Sequence, residues 1–450
     1  MRILLVSTNR CRAITHPMPI GMLVVAERIA RSGHEVELLD LMFADDPVAE
    51  ARAIVRKFRP ELVGISVRNI DNQDARSTAA YLPELKQIVE VIKSETDAKV
   101  VLGGTAFSTL PRETLEYAGA DLGIVGEAEA QFAELADRIA AGQTHDDLPG
   151  LVHRKDGEIV VNDWTFPDLT DFTDPHLDAV DFARYMAFGS TAAVVKKLGC
   201  PFRCSYCDGR YRMGAKARLR PPQKIVDDLV MVQERHGIRD VFIIDPHFNV
   251  PLAHAKALCR EILRRNVRAR WQGTLRPGRQ VDGELLHLMK RAGCQFAIVS
   301  PDSCSERMLK EYNKLFTKAE VYETCRRLQS ARLPYIMFIL FGGPGETRET
   351  VEETMSFVRT VKPKFVDFAV GIRIMPDTPL AERAVREGII TSQSDLIEPT
   401  FYISPAIDDW IDDRIRREWR RHPEWIANAL LMKAKQWVKR LRWRFHAHRG

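Results

Sequence analysis

Three cysteines, Cys200, Cys204 and Cys207, stand in the run KKLGCPFRCSYCDGR, directly after the apolar stretch Ala192–Val195. Three thiolates within eight residues, delivered by one loop at the exit of a strand, can hold a metal centre. They supply three ligands and not four. A structural zinc takes four protein ligands in a closed tetrahedron. A [4Fe–4S] cluster ordinarily has four thiolates, and when only three bind it, one iron is left open for a small molecule. A zinc site with a distant fourth ligand, a disulfide pair and buried structural thiols are the other readings of this run alone.

At 450 residues the chain has room for two or three domains. Its 45% hydrophobic and 28% charged content is that of ordinary soluble protein. A net charge of +5 is too mild to imply nucleic acid without a clustered patch. Eight cysteines in this length are no disulfide framework. MRILLVSTN lacks the layout of a signal peptide, and no apolar run approaches the roughly 18 residues of a membrane span. These features predict a cytoplasmic protein with reduced thiols, in which such a cluster needs low oxygen.

Residues 1–145 alternate short apolar runs with helical patterns, as in the strand Arg2–Val6 followed by the helix Met22–Arg31. Five such strands predict an open parallel, doubly wound (Rossmann-like) sheet buried on both faces. Ligands in such sheets bind beyond the carboxyl ends of the strands. Those ends carry Pro19 and Gly21, then Ser66, Arg68 and Asn69, then Gly103, Gly104 and Thr105, and finally Gly126, Glu127 and Glu129. None forms G-x-G-x-x-G, so dinucleotide binding has little support. Adjacent glycines suit close backbone approach to a large flat ligand, or serve merely as tight turns.

Residues 146–190 predict a connector with a hairpin at Leu148–Asn162 around Asp156-Gly157; His153 and His176 are expected on its surface. Residues 191–390 repeat six strand–helix units, which suits an incomplete parallel barrel with its chemistry at the strand ends. After the cysteines, those ends carry Asp245 and His247, then Gln272 and Arg276, then Ser300 and Asp302, then Gly343, Pro344 and Gly345, and finally Arg373.

C-x3-C-x2-C with Tyr206 before the last cysteine resembles the radical SAM superfamily. That resemblance implies a (β/α)6 barrel with a [4Fe–4S] cluster on Cys200, Cys204 and Cys207. Its open iron binds S-adenosylmethionine, whose reductive cleavage yields a 5′-deoxyadenosyl radical. It also implies S-adenosylmethionine contacts from Tyr206, Asp245, His247, Gln272, Arg276, Ser300, Asp302 and Gly343–Gly345. Ser300-Pro301-Asp302-Ser303 departs from the family's G-x-E-S. Residues 1–145 resemble the cobalamin-binding domain of one large subclass, through P-x-G, G-H-E-V-x-x-L-D, GG-x-x-F and GADLGIVGEAE. The D-x-H-x-x-G string that replaces the lower cobalt ligand in other cobalamin proteins is absent. Cobalamin is therefore expected without a histidine below cobalt, with that face covered by Arg68 or Asn69. The N-terminal domain has only Cys11, which fits poorly with a second cluster.

Residues 391–450 hold five of the seven tryptophans, and residues 406–450 hold twelve Lys/Arg against six Asp/Glu. Ile426–Phe445 reads as a basic amphipathic helix, either at a membrane surface or in a helical cap on the barrel. The combined expectation is a cobalamin-dependent radical SAM enzyme that methylates carbon or phosphorus of a small-molecule, lipid or natural-product substrate. It would draw electrons from a flavodoxin- or ferredoxin-type reductant, and nucleic acid is not an expected partner. A ring-forming or rearranging enzyme and a non-catalytic cofactor sensor are the alternatives.

Overall fold

The computed structural model describes residues 1–11, 16–169, 172–175 and 177–425. The predicted helix Ile426–Phe445 and His176 lie outside them. The N-terminal sheet has strands β1 (Arg2–Ser7), β2 (Glu35–Asp40), β3 (Leu62–Ser66), β4 (Lys99–Gly103), β5 (Leu122–Ile124), β6 (Leu151–Lys155) and β7 (Glu158–Val161). Their order is β2-β1-β3-β4-β5-β6-β7, and β1 to β5 run parallel. Helices cover both faces, which is why Ile3–Val6 of β1 and Val100–Leu102 of β4 are apolar without alternation. The chain reverses direction across the sheet between β1 and β3, so the loops after these strands form the ligand-binding crevice. The predicted hairpin forms as β6 and β7 but joins this sheet, antiparallel to β5, so the sheet runs past residue 145 to Val161. His153, expected on the surface, is buried in β6.

The second sheet contains β8 (Ala192–Val195), β11 (Asp240–Ile244), β12 (Arg270–Leu275), β13 (Cys294–Asp302), β14 (Tyr335–Phe341) and β15 (Phe365–Val370). Between β8 and β11, the short antiparallel pair β9 (Lys197–Leu198) and β10 (Arg218–Leu219) brackets the cysteine loop. All six long strands are parallel in the order β15-β14-β13-β12-β11-β8, with helices as crossovers. This is the incomplete barrel anticipated above. Burial alternates along its strands: Met337 and Ile339 are fully buried under helices, whereas Ile336, Phe338 and Leu340 on the other face are only half-buried. That second face lines an open lumen. β12 and β13 continue beyond Gln272 and Val299, where the apolar runs end, because lumen positions tolerate Thr274, Ser300 and Asp302.

The strand-end faces of the two sheets meet. Arg373 on β16 (Ile372–Arg373), which pairs with β17 (Phe401–Tyr402), donates from Nε to Asp71 Oδ2 at 2.7 Å, with both side chains buried. Arg218 makes a two-pronged ion pair with Glu127, and Tyr185 Oη donates to Asp40 Oδ2 at 2.5 Å. The described part of the tail caps the barrel. Trp425 is 2% exposed and packs edge-on to Phe368 at 6.1 Å. In the helix Ile411–Arg421, the buried Glu418 accepts from Arg414 and Arg359. No helix among the described residues is long and apolar enough to cross a membrane.

Arg373→Met would leave Asp71 buried without its cation, a type of change that costs about 3–5 kcal/mol. The expected outcome is a lowered unfolding midpoint, together with loosened contact between the sheets that is measurable as faster proteolysis in the loop around Asp71.

Candidate functional site

The cysteine loop begins one turn beyond β8 and is held from several sides. Cys200 N donates to Gly214 O at 3.0 Å, Ser205 N to Tyr312 O at 3.1 Å, and Leu380 N to Ser205 O at 2.9 Å. Gly209 N donates to Cys207 Sγ at 3.4 Å. All three thiols are free, with Cys207 exposed and the other two half-buried. Among the described residues no three His, Cys, Asp or Glu side chains are placed to hold one metal ion. Surrounding protein raises the Cys207 thiol to about 11, and burial also raises Cys200. Lys197 and Lys314 oppose that rise at Cys200 by favouring its thiolate. Three free thiols on one short loop, with lysines that favour the thiolate, have the chemistry of a three-thiolate centre once the sulfurs converge, with proton release on loading.

Asp245 departs from expectation. Its carboxylate is completely buried and accepts from Lys196 at 2.7 Å and from Lys197. His247 N occupies the Lys197-paired oxygen as well, at 2.7 Å. The side chain is thus not presented to a ligand; it pins the start of the cysteine loop to β11. Burial lowers Lys196 to about 8 in spite of Asp245. Asp302 is likewise engaged, by Lys314 and by the Tyr206 hydroxyl, while Lys314 Nζ donates to Tyr206 Oη at 2.8 Å. Glu127 is taken up by Arg218 across the domain boundary. Arg373, a candidate anion holder, is the partner of Asp71.

Other predicted residues do line an open space. Gln272, Thr274 and Ser300 are half-buried on the lumen face. His247 Nδ1 is buried without a hydrogen-bond partner. Burial, then Lys197, Lys314 and Arg276, lower its pKa to about 3, so the imidazole is neutral. Arg276 lies 4.3 Å over the Phe202 ring and 5.0 Å over Phe316, and it donates to Leu315 O. The turn Gly343–Gly345 is set back by one layer. A Cβ on Gly343 would meet the Tyr312 ring at 2.2 Å, and Tyr312 in turn packs edge-on to Tyr206 at 5.4 Å. Thr347 caps the following helix.

On the facing sheet, Ser66, Arg68, Asn69, Gly103, Gly104 and Thr105 cluster at the ends of β3 and β4. Arg68 is exposed and donates to Asn69 Oδ1 at 3.3 Å, and Thr105 Oγ1 donates to the Arg68 carbonyl. Gly104 has φ +98°, and a Cβ there would meet Val67 O at 2.7 Å. Asn9, buried at the end of β1, has an amide nitrogen without a partner. His16 is stacked on Phe43 at 5.6 Å beside Phe188. Gly126 lies next to the partly exposed Trp164, and Glu129 is raised by burial. Among the described residues these loops make a broad, polar, glycine-edged floor, which suits a large flat ligand such as cobalamin. Pro19 and Gly21 flank the start of the first helix. Thr109 Oγ1 donates to Asp208 Oδ2 at 3.2 Å, so the β4 loop touches the residue after Cys207. Sequence reasoning missed Lys197, Lys314 and Asn9. Only the lysine pair before Cys200 carried a signal, as charge directly following a buried strand.

The chain matches the Radical SAM superfamily over residues 194–358 and the B12 binding domain over residues 13–136. It is 24% identical over 434 residues to an uncharacterized methyltransferase of Pyrococcus horikoshii, spanning 93% of this chain and 92% of that one. It is 27% identical over 440 residues to tryptophan 2-C-methyltransferase of Streptomyces laurentii, spanning 82% of this chain and 72% of that one. The structure of the radical S-adenosylmethionine methyltransferase TsrM from Kitasatospora setae, with tryptophan and a SAM analogue, superposes with a TM-score of 0.81 at 25% identity. That match covers 93% of this chain and 88% of TsrM. Fold, cysteine loop and paired domains define a radical SAM enzyme with a B12-binding domain. The chain unites the two domains of cobalamin-dependent radical SAM enzymes, whose cofactors are a [4Fe–4S] cluster, S-adenosylmethionine and cobalamin, and named methyltransferases stand among its relatives.

Glu346, in the turn behind Tyr312, is 1% exposed; Oε2 accepts from Gly342 N at 2.6 Å and Oε1 has no partner. Burial raises this carboxyl to about 7. A raised acid leaves stability intact below its unfolded value and removes it as pH climbs to the folded value, here between roughly 4.5 and 7. The loss is about 3 kcal/mol. Glu346→Gln should flatten the decline in unfolding midpoint across this window, measured by denaturation at stepped pH.

Proposed function

We propose that this chain transfers a methyl group from methylcobalamin to a small-molecule substrate that has first lost a hydrogen atom. The observation that carries the reading is the apposition of the β4 loop with the cysteine loop through Thr109 and Asp208. When bound, the three cofactors supply the radical and the methyl group; the protein positions them and excludes water. Cys200, Cys204 and Cys207 are its cluster ligands. Tyr206, His247, Gln272, Arg276 and Ser300 face S-adenosylmethionine, and Asp302 acts on it through Lys314 and Tyr206. Gly343, Pro344 and Gly345 shape the wall behind Tyr312. Cobalamin is held by the loops bearing Ser66, Arg68, Asn69, Gly103–Thr105, Gly126 and Glu129, with the first-loop Pro19 and Gly21 beside them. A flavodoxin- or ferredoxin-type protein is the electron donor.

The neutral state of His247 suits it to accept a hydrogen bond from the ammonium of S-adenosylmethionine, while Arg276 offers a cation to its carboxylate. Arg68, exposed among the β3 and β4 loops, would present positive charge to bound cobalamin and would disfavour a further protein ligand there. The relative from Streptomyces laurentii acts on tryptophan, which supports a small organic substrate here.

Anaerobic reconstitution with cluster, hydroxocobalamin, S-adenosylmethionine and reductant is expected to give bound cobalamin and both S-adenosylhomocysteine and 5′-deoxyadenosine. Product should gain one methyl mass. Deoxyadenosine without that gain would favour ring formation or rearrangement, and absence of both nucleosides would favour a sensor. Arg68→Ala should shift the absorption spectrum of the bound cobalamin; an unchanged spectrum would remove Arg68 from the lower face.

A further inference from the structure

Most of the buried carboxylates of the barrel and its cap have built-in cations, and Glu346 has the backbone N–H of Gly342. Asp245 has two lysines, Asp228 has Arg220, Asp302 has Lys314, and Glu418 has Arg414 and Arg359. Asp367 is different. It stands in the middle of β15 and has no hydrogen bond or ion pair among the described residues. Burial alone raises its carboxyl, with no cation near enough to oppose that rise.

Strand geometry fixes the direction of this side chain. Val366 and Phe368 face the helical side, where Phe368 meets Trp425. Alternation therefore turns Asp367 into the lumen. Its register partner on β14 is Phe338. On the same face, Ile298 pairs with Ile336, one step nearer the strand starts. Ser300 follows Ile298 by two residues, so it approaches the same level from β13. β15 is also the edge strand, farthest in sheet order from β8 and the cysteine loop. An unopposed carboxylate thus sits inside an apolar, partly open chamber, on the wall remote from the cluster residues. Leaving a carboxylate in such a place is costly unless something cationic arrives to pair with it.

We propose that Asp367 receives the protonated amine of the substrate, whose apolar or aromatic body packs against Phe338, Ile298 and Ile336. This names the substrate class within the methyl-transfer reading and rests on it. A fixed carboxylate on β15 would orient one end of the substrate and leave the other end toward the cofactors. A charge-assisted hydrogen bond of this kind contributes about 1.5–3 kcal/mol, or roughly ten- to hundredfold in affinity.

The test uses the anaerobically reconstituted full chain with S-adenosylmethionine and two probe pairs: tryptamine with 3-propylindole, and phenethylamine with propylbenzene. Each pair differs by an ammonium against a methyl group. Calorimetry should show each amine binding at least about tenfold tighter than its neutral mate. Asp367→Asn should abolish that preference and Asp367→Glu should retain part of it, while affinities for S-adenosylmethionine and cobalamin stay unchanged in both variants. Equal binding within each pair by the wild type would overturn the proposal, as would an amine preference that survives Asp367→Asn. A fall in S-adenosylmethionine affinity in that variant would reassign Asp367 to the cofactor. Nucleoside formation in the same samples is read separately, so failure of the methyl-transfer reading shows as missing S-adenosylhomocysteine and not as a missing amine preference.

Discussion

The fully buried knot of Lys196, Lys197 and Asp245 fixes the most consequential loop in the molecule. β8 ends at Val195, and the cysteine run starts at Cys200. Everything between must turn sharply yet reproducibly. Two ammonium groups on one carboxylate make the exit rigid, because releasing either leaves charge stranded away from water. Asp245 directly follows the neighbouring strand β11, so the knot also ties the loop to the end of that strand. Such a cluster is no efficient source of stability, since desolvation offsets much of the attraction. What it gives is one geometry for the loop.

The same economy of position explains the domain arrangement. Parallel strands gather their loops at one end, in the open sheet and in the barrel alike. Placing those two ends face to face brings every loop of interest into one chamber. Arg373 with Asp71, Arg218 with Glu127 and Thr109 with Asp208 hold that stacking from three places. The hairpin β6–β7 extends the first sheet before the chain crosses over, so the crossing segment starts from a fixed edge and not from a loose linker.

The sequence made the architecture legible because buried parallel strands are short apolar runs separated by helical periods. The cysteine spacing was legible because ligand chemistry requires it. What escaped was the pairing of polar residues. Asp245 and Asp302 looked like ligand-facing acids at strand ends, but a sequence does not reveal that Lys197 or the distant Lys314 will reach them. Glu127 and Arg373 were hidden in the same way, since their partners lie 91 and 302 residues away. Asp367 escaped for the opposite reason: nothing in the sequence around it marks it, and only the inward turn of β15 makes it unusual. The outcome for the tail was mixed: Trp425 is core, and the basic helix predicted beyond it lies outside the described residues.

Charge around the cysteine loop completes the picture. Lys197, Lys314 and Arg276 all act on His247, and each lies near enough to a cysteine to influence its ionisation or be influenced by it. With the thiols protonated, this region has more positive than negative charge, since Asp245 is shared by two lysines and Asp302 answers only Lys314. Ionising the cysteines corrects the imbalance. The loop's electrostatics are therefore finished by thiolates, and the lysines that rigidify it also favour the ligand form of its sulfurs. A single arrangement of cations thus sets both the shape of the loop and the protonation state its chemistry needs. Burial first, and these cations next, keep the histidine in their midst neutral and free to accept a hydrogen bond.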